Sequence, residues 1–252
     1  MTVRRRTAPS LYEHLTERAQ MTKQVWHLPE LIDHTVLRPD ATRSDVLRLC
    51  QEAIRYGFTV IFIPPCYAGE AVDAVAGSSV RVGIPVGFPL GGHTTSTKVA
   101  EAMEGVKQGA TVLDMVINVS RLKSDDFDAV RQDIAEVVLA TPRAEHKVIV
   151  ETCYLTDQEK ITACRLAVEA GADYVKTSTG FGAGGATVAD VKLMKAAVAG
   201  RAKVKASGGI RDWAATRALL EAGADRIGTS ASLKILDEWR CQGSSAIKSD
   251  HD

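Results

Sequence analysis

Two lysines and an aspartate stand where this chain could do chemistry on a carbonyl compound. In Asp173-Tyr-Val-Lys-Thr-Ser-Thr-Gly180, Lys176 follows an apolar run and precedes a polar stretch that ends in glycine. In Lys203-Val-Lys-Ala-Ser-Gly-Gly-Ile-Arg211, Lys205 holds the same place one repeat later. Lys203, two residues back, shares its face but lies nearer the start of the run. In Thr111-Val-Leu-Asp-Met-Val-Ile117, Asp114 interrupts an otherwise apolar segment. A charge there is costly unless paired or hydrogen-bonded, so the cheapest arrangement turns Asp114 toward the two lysines. An ordinary lysine, with a pKa of about 10.4, is ammonium at neutral pH and cannot attack a carbonyl. Bringing that value near neutrality costs about 4 kcal/mol, which burial and a neighbouring ammonium can supply. Two lysines and one carboxylate are therefore the parts of a Schiff-base nucleophile. They are equally the parts of a buried ion triad that only neutralises itself, and the residues alone leave both readings open.

The elements that must position these residues are legible as alternating patterns. Short β-branched apolar runs at 31–37, 58–63, 80–86, 111–117, 147–152, 173–177, 203–206 and 225–228 read as strands covered on both faces. Amphipathic stretches lie between them. Thr156-Asp-Gln-Glu159 and Thr187-Val-Ala-Asp190 read as capping boxes at helix starts. Gly57, Gly109, Gly171, Gly200 and Gly223 each precede a strand, as helix-ending glycines do. Glu169-Ala-Gly-Ala-Asp173 recurs as Glu221-Ala-Gly-Ala-Asp225, with a weaker copy at Gln108-Gly-Ala-Thr111, an echo of one repeated helix-to-strand corner. Eight strands with helices between them, in 252 residues, favour one closed (β/α)8 TIM barrel over an open doubly wound sheet. The barrel is expected over residues 29–240, after a short N-terminal extension (1–28) and before a flexible tail (241–252). Barrel chemistry sits at the C-terminal ends of the strands, where Lys176 and Lys205 fall.

Glycine-rich loops follow the same strands. Gly208 and Gly209 after Lys205, the Gly228-Thr-Ser-Ala231 turn with Ser230, and Gly180-Phe-Gly-Ala-Gly-Gly185 after Lys176 could together cradle a phosphate on backbone N–H groups. Such an anion must be held locally, because Lys plus Arg and Asp plus Glu both number 31. That balance gives no reason to expect nucleic acid or an anionic membrane as partner. Gly91-Gly92-His93 is not a P-loop, and the six histidines show no metal-binding spacing, so no metal site is expected. The five cysteines include no CxxC pair and read as reduced thiols of a cytoplasmic protein. Cys66 and Cys153, near strand ends without a histidine partner, read as structural. Arg4, Arg5 and Arg6 precede no apolar run of signal length, so the start reads as a solvated extension.

Taken in order, seven segments resemble the 2-deoxyribose-5-phosphate aldolase family over residues 31–236. They are Ile32-Asp-His-Thr-Val-Leu37, Val86-Gly-Phe-Pro-Leu-Gly91, Leu113-Asp-Met-Val-Ile-Asn118, Lys147-Val-Ile-Val-Glu-Thr152, Val175-Lys-Thr-Ser-Thr-Gly180, Lys205-Ala-Ser-Gly-Gly-Ile-Arg211 and Arg226-Ile-Gly-Thr-Ser230. The resemblance implies a class I aldolase of deoxyribonucleotide catabolism with no cofactor. In it Lys176 forms the Schiff base, and Lys205 and Asp114 transfer protons. It implies phosphate contacts from Gly180, Gly208, Gly209 and Ser230, and substrate contacts from Asp33 and from Thr35 or Thr179. The implied partners are a small phosphorylated sugar, acetaldehyde, and further copies of the chain in a homodimer or homotetramer. Three features depart from the family pattern. Ile61-Phe-Ile-Pro-Pro65 replaces a cysteine and a polar residue with Phe62 and Pro64, expected near the mouth; Ala231 replaces a common second serine; and the chain ends Lys248-Ser-Asp-His-Asp252 without a C-terminal tyrosine. A phosphosugar-binding barrel without chemistry, and an isomerase or lyase acting on another phosphorylated compound, are the competing readings.

Overall fold

The β-branched runs become strands β1 (Ile32–Thr35), β2 (Val60–Phe62), β3 (Arg81–Val86), β4 (Val112–Val116), β5 (Glu145–Ile149), β6 (Tyr174–Lys176), β7 (Lys203–Ser207) and β8 (Arg226–Thr229) in a computed structural model that describes residues 26–248. Every strand pairs in parallel with its sequence neighbours, and β8 pairs with β1, so the sheet closes into a barrel. The connecting helices are α1 (Leu28–Leu31), α2 (Arg43–Tyr56), α3 (Ala68–Ala74), α4 (Thr95–Lys107), α5 (Val119–Lys123), α6 (Phe127–Ala140), α7 (Asp157–Glu169), α8 (Val188–Val198), α9 (Trp213–Glu221) and α10 (Ser232–Lys248). Alternate strand residues such as Val82, Ile84, Val86, Leu113, Met115, Val148, Val204 and Ile227 turn outward and form one continuous core with the helices. A separate apolar cluster of Val60, Phe62 and Val112 fills part of the bore. Among the described residues no helix is long and apolar enough to cross a membrane.

Helix boundaries follow their capping chemistry. Thr156 accepts from the Glu159 N–H while the Glu159 carboxylate accepts from the Thr156 N–H, completing the box. Thr42 and Asp45 form a second complete box at the start of α2. At Thr187 only half a box is present: the hydroxyl accepts from the Asp190 N–H, but the Asp190 carboxylate accepts from the Thr187 hydroxyl at 2.9 Å and pairs with Lys160 at 2.7 Å instead of accepting from the Thr187 N–H. Gly57 caps α2 at φ 81°, a left-handed conformation that costs a residue with a Cβ about 1 kcal/mol or more. Gly109, Gly171, Gly200 and Gly223 also take positive φ.

Most strands are one to three residues shorter or shifted relative to the sequence-based expectation, and two differences have a visible cause. β5 begins at Glu145 and ends at Ile149, because Glu151 adopts φ 56° and turns the chain out of the sheet. The chain beyond residue 240 does not fray at once but continues in α10 to Lys248. That helix is docked on α9 by Glu238, which accepts from the Trp213 N–H at 2.8 Å, and by Gln242, which accepts from Trp213 Nε1 at 2.9 Å. Residues 1–25 of the expected extension and residues 249–252 of the expected tail lie outside the described residues.

Behind β4, Lys98 of α4 is fully buried and donates to Asp133 of α6 at 2.5 Å and to the Val116 carbonyl at 2.9 Å. This pair ties two helices to the end of the strand that carries Asp114. The loop before α4 packs against the same strand end. A Cβ at Gly91 would stand 2.1 Å from the Ile117 carbonyl oxygen, and φ there is +71°, whereas a Cβ at Gly92 meets nothing within 4 Å. Gly91→Ala is therefore expected to lower the unfolding free energy by about 2 kcal/mol or more and Gly92→Ala by less than about 0.5, as read from urea denaturation.

Candidate active site

Strand alternation decides what enters the bore. Asp33 and Thr35 on β1, Phe62 on β2, Gly83 on β3, Asp114 on β4, Lys147 on β5, Lys176 on β6, Lys205 and Ser207 on β7, and Arg226 and Gly228 on β8 share the inward parity. The bore of such a barrel is usually filled with branched apolar side chains. Here much of it is an ion network screened from solvent. Lys176 Nζ donates to Asp114 Oδ2 at 2.7 Å, and Lys205 Nζ donates to the same oxygen at 2.7 Å. Lys205 also pairs with Asp33 Oδ2 at 2.6 Å, and Arg226 pairs with Asp33 Oδ1. Lys147 stands 3.8 Å from both Asp33 and Asp114 and 2.6 Å from Glu145. Asp114 is 0%, Lys205 1% and Lys176 4% exposed.

The inner part of the network holds one more cation (Lys147, Lys176, Lys205, Arg226) than carboxylate (Asp33, Asp114, Glu145), and the half-buried Arg81 adds a further cation at its edge, donating to Glu145 at 3.0 Å. A surplus charge out of water is expensive, and the cheapest relief is for one amine to lose its proton. Burial brings Lys176 down to about 8, helped by the Lys205 ammonium and opposed by Asp114. At that value about one amine in ten is neutral at pH 7, against about one in 3,000 for an ordinary lysine. Lys205 goes the other way: burial opposes its charge, but Asp114 and Asp33 outweigh burial and raise it. Burial alone would raise Asp114 and Asp33, yet the surrounding cations hold both below the usual carboxylate range. Burial also pulls Lys147 below its ordinary range, but that amine lies beneath the cavity rather than on its wall.

Above the network opens a cavity of about 750 Å³ with Lys176 on its wall. Thr35, Thr179, Gly180, Gly208, Gly209 and Ser230 line it. Asp33 does not: it is fully buried and serves the cavity only through Lys205 and Arg226. The Thr35 hydroxyl donates to the Asp33 carbonyl at 2.9 Å, and the Thr179 hydroxyl donates to Glu151. Each can still accept from a ligand. The loops after β6 and β7 are stitched together: Ser207 donates to the Ser178 carbonyl, and the Gly208 carbonyl accepts from Ala186 at 3.0 Å. The fit requires glycine at Gly185, where a Cβ would fall 2.2 Å from the Gly208 oxygen. Among the described residues, no protein oxygen accepts from the N–H groups of Gly180, Gly208, Gly209 or Ser230. The start of α10 and the cations Arg211 and Lys234 face the same end of the cavity.

Several residues that shape the site gave no functional signal in the sequence. Lys147 and Arg226 were visible only as members of similar segments; their inward parity would have marked them once the strand register was known. Glu151 accepts from the Thr179 N–H and hydroxyl and so fixes the loop after Lys176. Phe62 is not near the mouth as expected: it is 1% exposed, deep in the bore beside the lysines. Cys66 and Cys153, expected to be structural, are exposed thiols, while Cys50 and Cys164 are buried ones. Ser232 does not replace the serine missing at Ala231, because its buried hydroxyl is held against His34 Nδ1 at 2.8 Å.

Residues 30–238 match the DeoC/LacD family aldolases. The chain is 51% identical over 224 residues to the deoxyribose-phosphate aldolase of Caldanaerobacter subterraneus subsp. tengcongensis, covering 88% of this chain and 97% of that protein. It is 50% identical over 217 residues to the deoxyribose-phosphate aldolase of Thermococcus gammatolerans, covering 84% of this chain and 96% of that one. Its fold superposes on the tetrameric deoxyribose phosphate aldolase of Aeropyrum pernix with a TM-score of 0.78 at 33% identity, covering 92% of this chain and 99% of the other. With an amine held at the end of β6 by a carboxylate that it shares with a second lysine, and with relatives matched along nearly the whole barrel, the chain belongs to the DeoC/LacD aldolase family.

Proposed function

We propose that the protein is a class I aldolase that reversibly cleaves 2-deoxy-D-ribose 5-phosphate to D-glyceraldehyde 3-phosphate and acetaldehyde through a Schiff base on Lys176. The observation that carries this reading is the single oxygen, Asp114 Oδ2, that takes a hydrogen bond of 2.7 Å from each of two buried lysines, one of which lines the cavity. Neutral Lys176 attacks the C1 aldehyde of the open-chain sugar. Asp114 and Lys205 carry the protons that convert the carbinolamine to an iminium ion with loss of water. The iminium draws electrons from the C2–C3 bond as the C3 hydroxyl loses its proton, so glyceraldehyde 3-phosphate leaves and an enamine remains. Protonation at C2 and hydrolysis release acetaldehyde and restore the amine. Covalent attachment replaces a high-energy enolate with a neutral enamine.

The unpaired N–H groups of Gly180, Gly208, Gly209 and Ser230, with the start of α10, suit a dianionic phosphate at the far end of the cavity. Asp33 then acts from below by holding Lys205, and Thr35 or Thr179 meets a sugar hydroxyl. The reading needs no cofactor. We further propose that the enzyme works in the cytoplasm, in deoxyribonucleotide catabolism, as a homodimer or homotetramer. Support for assembly comes from the tetramer formed by the Aeropyrum pernix relative, and for the compartment from the free thiols Cys50, Cys66, Cys153 and Cys164.

Borohydride reduction in the presence of acetaldehyde should leave an ethyl adduct on Lys176, found by peptide mass spectrometry. An unmodified Lys176 would support a barrel that only binds phosphosugars. Lys176→Arg should abolish cleavage of deoxyribose phosphate with the circular dichroism unchanged. Because neutral amine is the reactive form and its fraction grows with pH, kcat/KM should rise about tenfold per pH unit up to about 8 and level off above it. The Ser230 hydroxyl, on the cavity wall beside its N–H group, is a further phosphate contact. Ser230→Ala, which removes it, should raise KM roughly tenfold with kcat unchanged, the size of one hydrogen bond to a charged group.

A further inference from the structure

Phe62 occupies a place in the network that packing alone does not explain. Its side chain is 1% exposed, and the face of its ring lies 3.8 Å from Lys205 Nζ. Lys147 Nζ stands at 5.2 Å and Lys176 Nζ at 5.6 Å, near the limit of about 6 Å at which a ring still attracts a cation. The Lys205 ammonium has three hydrogens. One is donated to Asp114 Oδ2 (2.7 Å), Asp33 Oδ2 stands 2.6 Å from the nitrogen as an ion-pair partner without a hydrogen bond, and the ring gives a further side a surface of negative potential. The barrel makes room for this arrangement. A Cβ at Gly83 would meet the ring at 2.7 Å, and one at Gly228 would meet Lys205 Cε at 2.9 Å.

We infer that Phe62 is a positioning residue of the reaction, whose ring face holds the proton on Lys205 and so leaves Lys176 as the amine that gives up its own. The ionic neighbours already favour charge on Lys205, which has Asp33 as well as Asp114 beside it, and the ring adds to that difference. Both hydrogen-bond the same oxygen of Asp114; Lys147, Asp33 and Arg226 stand around them, Glu145 on β5 and Arg81 on β3 lie beyond Lys147, and Val60 on β2 and Gly83 on β3 are uncharged. Asp33 on one side and the ring on the other are what distinguish Lys205. The quadrupole attraction falls steeply with distance, so the contact at 3.8 Å outweighs the one at 5.6 Å. The inference rests on the assignment of Lys176 as nucleophile and Lys205 as proton carrier.

The test replaces Phe62 with pentafluorophenylalanine, which keeps the ring's shape and reverses its quadrupole, and in a second protein makes Phe62→Leu. Full-length protein carrying ¹³Cε-lysine is titrated by NMR, with signals assigned from Lys205→Met and Lys176→Met. The Lys205 signal is expected to titrate at least about half a pH unit lower in the pentafluorophenylalanine protein, with a smaller change at Lys176. Phe62→Leu should shift Lys205 in the same direction. The alkaline limb of kcat should move down with it, and KM should stay constant. A Lys205 titration that matches the unsubstituted protein in the pentafluorophenylalanine variant overturns the inference, and Phe62→Leu is read in the same way if that variant does not fold. The NMR readout needs no turnover, so an unmoved Lys205 in a protein that still forms the acetaldehyde adduct on Lys176 rejects the role of Phe62 alone. Absence of the adduct rejects the nucleophile assignment itself.

Discussion

One carboxylate oxygen shared by two buried lysines, inside a network with more cations than carboxylates, is the constraint on which this site depends. Outside water, neither ammonium can be charged without cost, and one acid cannot neutralise both. The surplus is relieved by a lysine giving up its proton. Lys176 is that lysine because Lys205 has two carboxylates within 2.7 Å and Lys176 has one. The same imbalance that would destabilise a purely structural core therefore leaves an amine that can lose its proton, as the proposed nucleophile must. It also fixes the division of labour: an amine poised near neutrality beside one that stays charged is an acid–base pair set apart by environment.

The barrel supplies what that chemistry demands. Strand alternation delivers side chains from β1, β4, β5, β6, β7 and β8 to one small volume, and closure removes the edge through which water could enter. Gly83 on β3 leaves space for the Phe62 ring, and Gly228 on β8 for the Lys205 side chain. Helices packed outside hold the strand ends still, as the buried Lys98–Asp133 pair does behind β4. At the rim, glycine-rich loops locked together through Ser207, Ala186 and Gly208 present backbone N–H groups to the cavity. The charge-relieving amine and the loops with unpaired N–H groups therefore line one cavity.

Much of this was legible in the sequence, for identifiable reasons. Eight β-branched runs between capped amphipathic stretches favour a closed parallel barrel over an open doubly wound sheet, because strands covered on both faces and eight in number match one turn of that fold. Lys176, Lys205 and Asp114 stood out because each is an ionisable residue of inward parity in an apolar strand. What stayed hidden depends on register between strands far apart in the chain. Lys147 and Arg226 read as ordinary strand-start residues until the pairing sets them against Asp114 and Lys205. Phe62 read as a mouth residue because only the three-dimensional path places its ring beneath the lysines. Asp33 was assigned to the substrate, yet it meets cations rather than the cavity. Glu151 was unreadable because its left-handed backbone is imposed by the contacts it makes with Thr179.

The most direct test of the central claim is the pH dependence of Lys176 reactivity, measured by trace acetylation with acetic anhydride and quantified on the peptide that carries it. The account predicts a midpoint near 8, well below that of surface lysines in the same sample. A Lys176 that acetylates with the midpoint of an ordinary lysine, about 10.4, would contradict it.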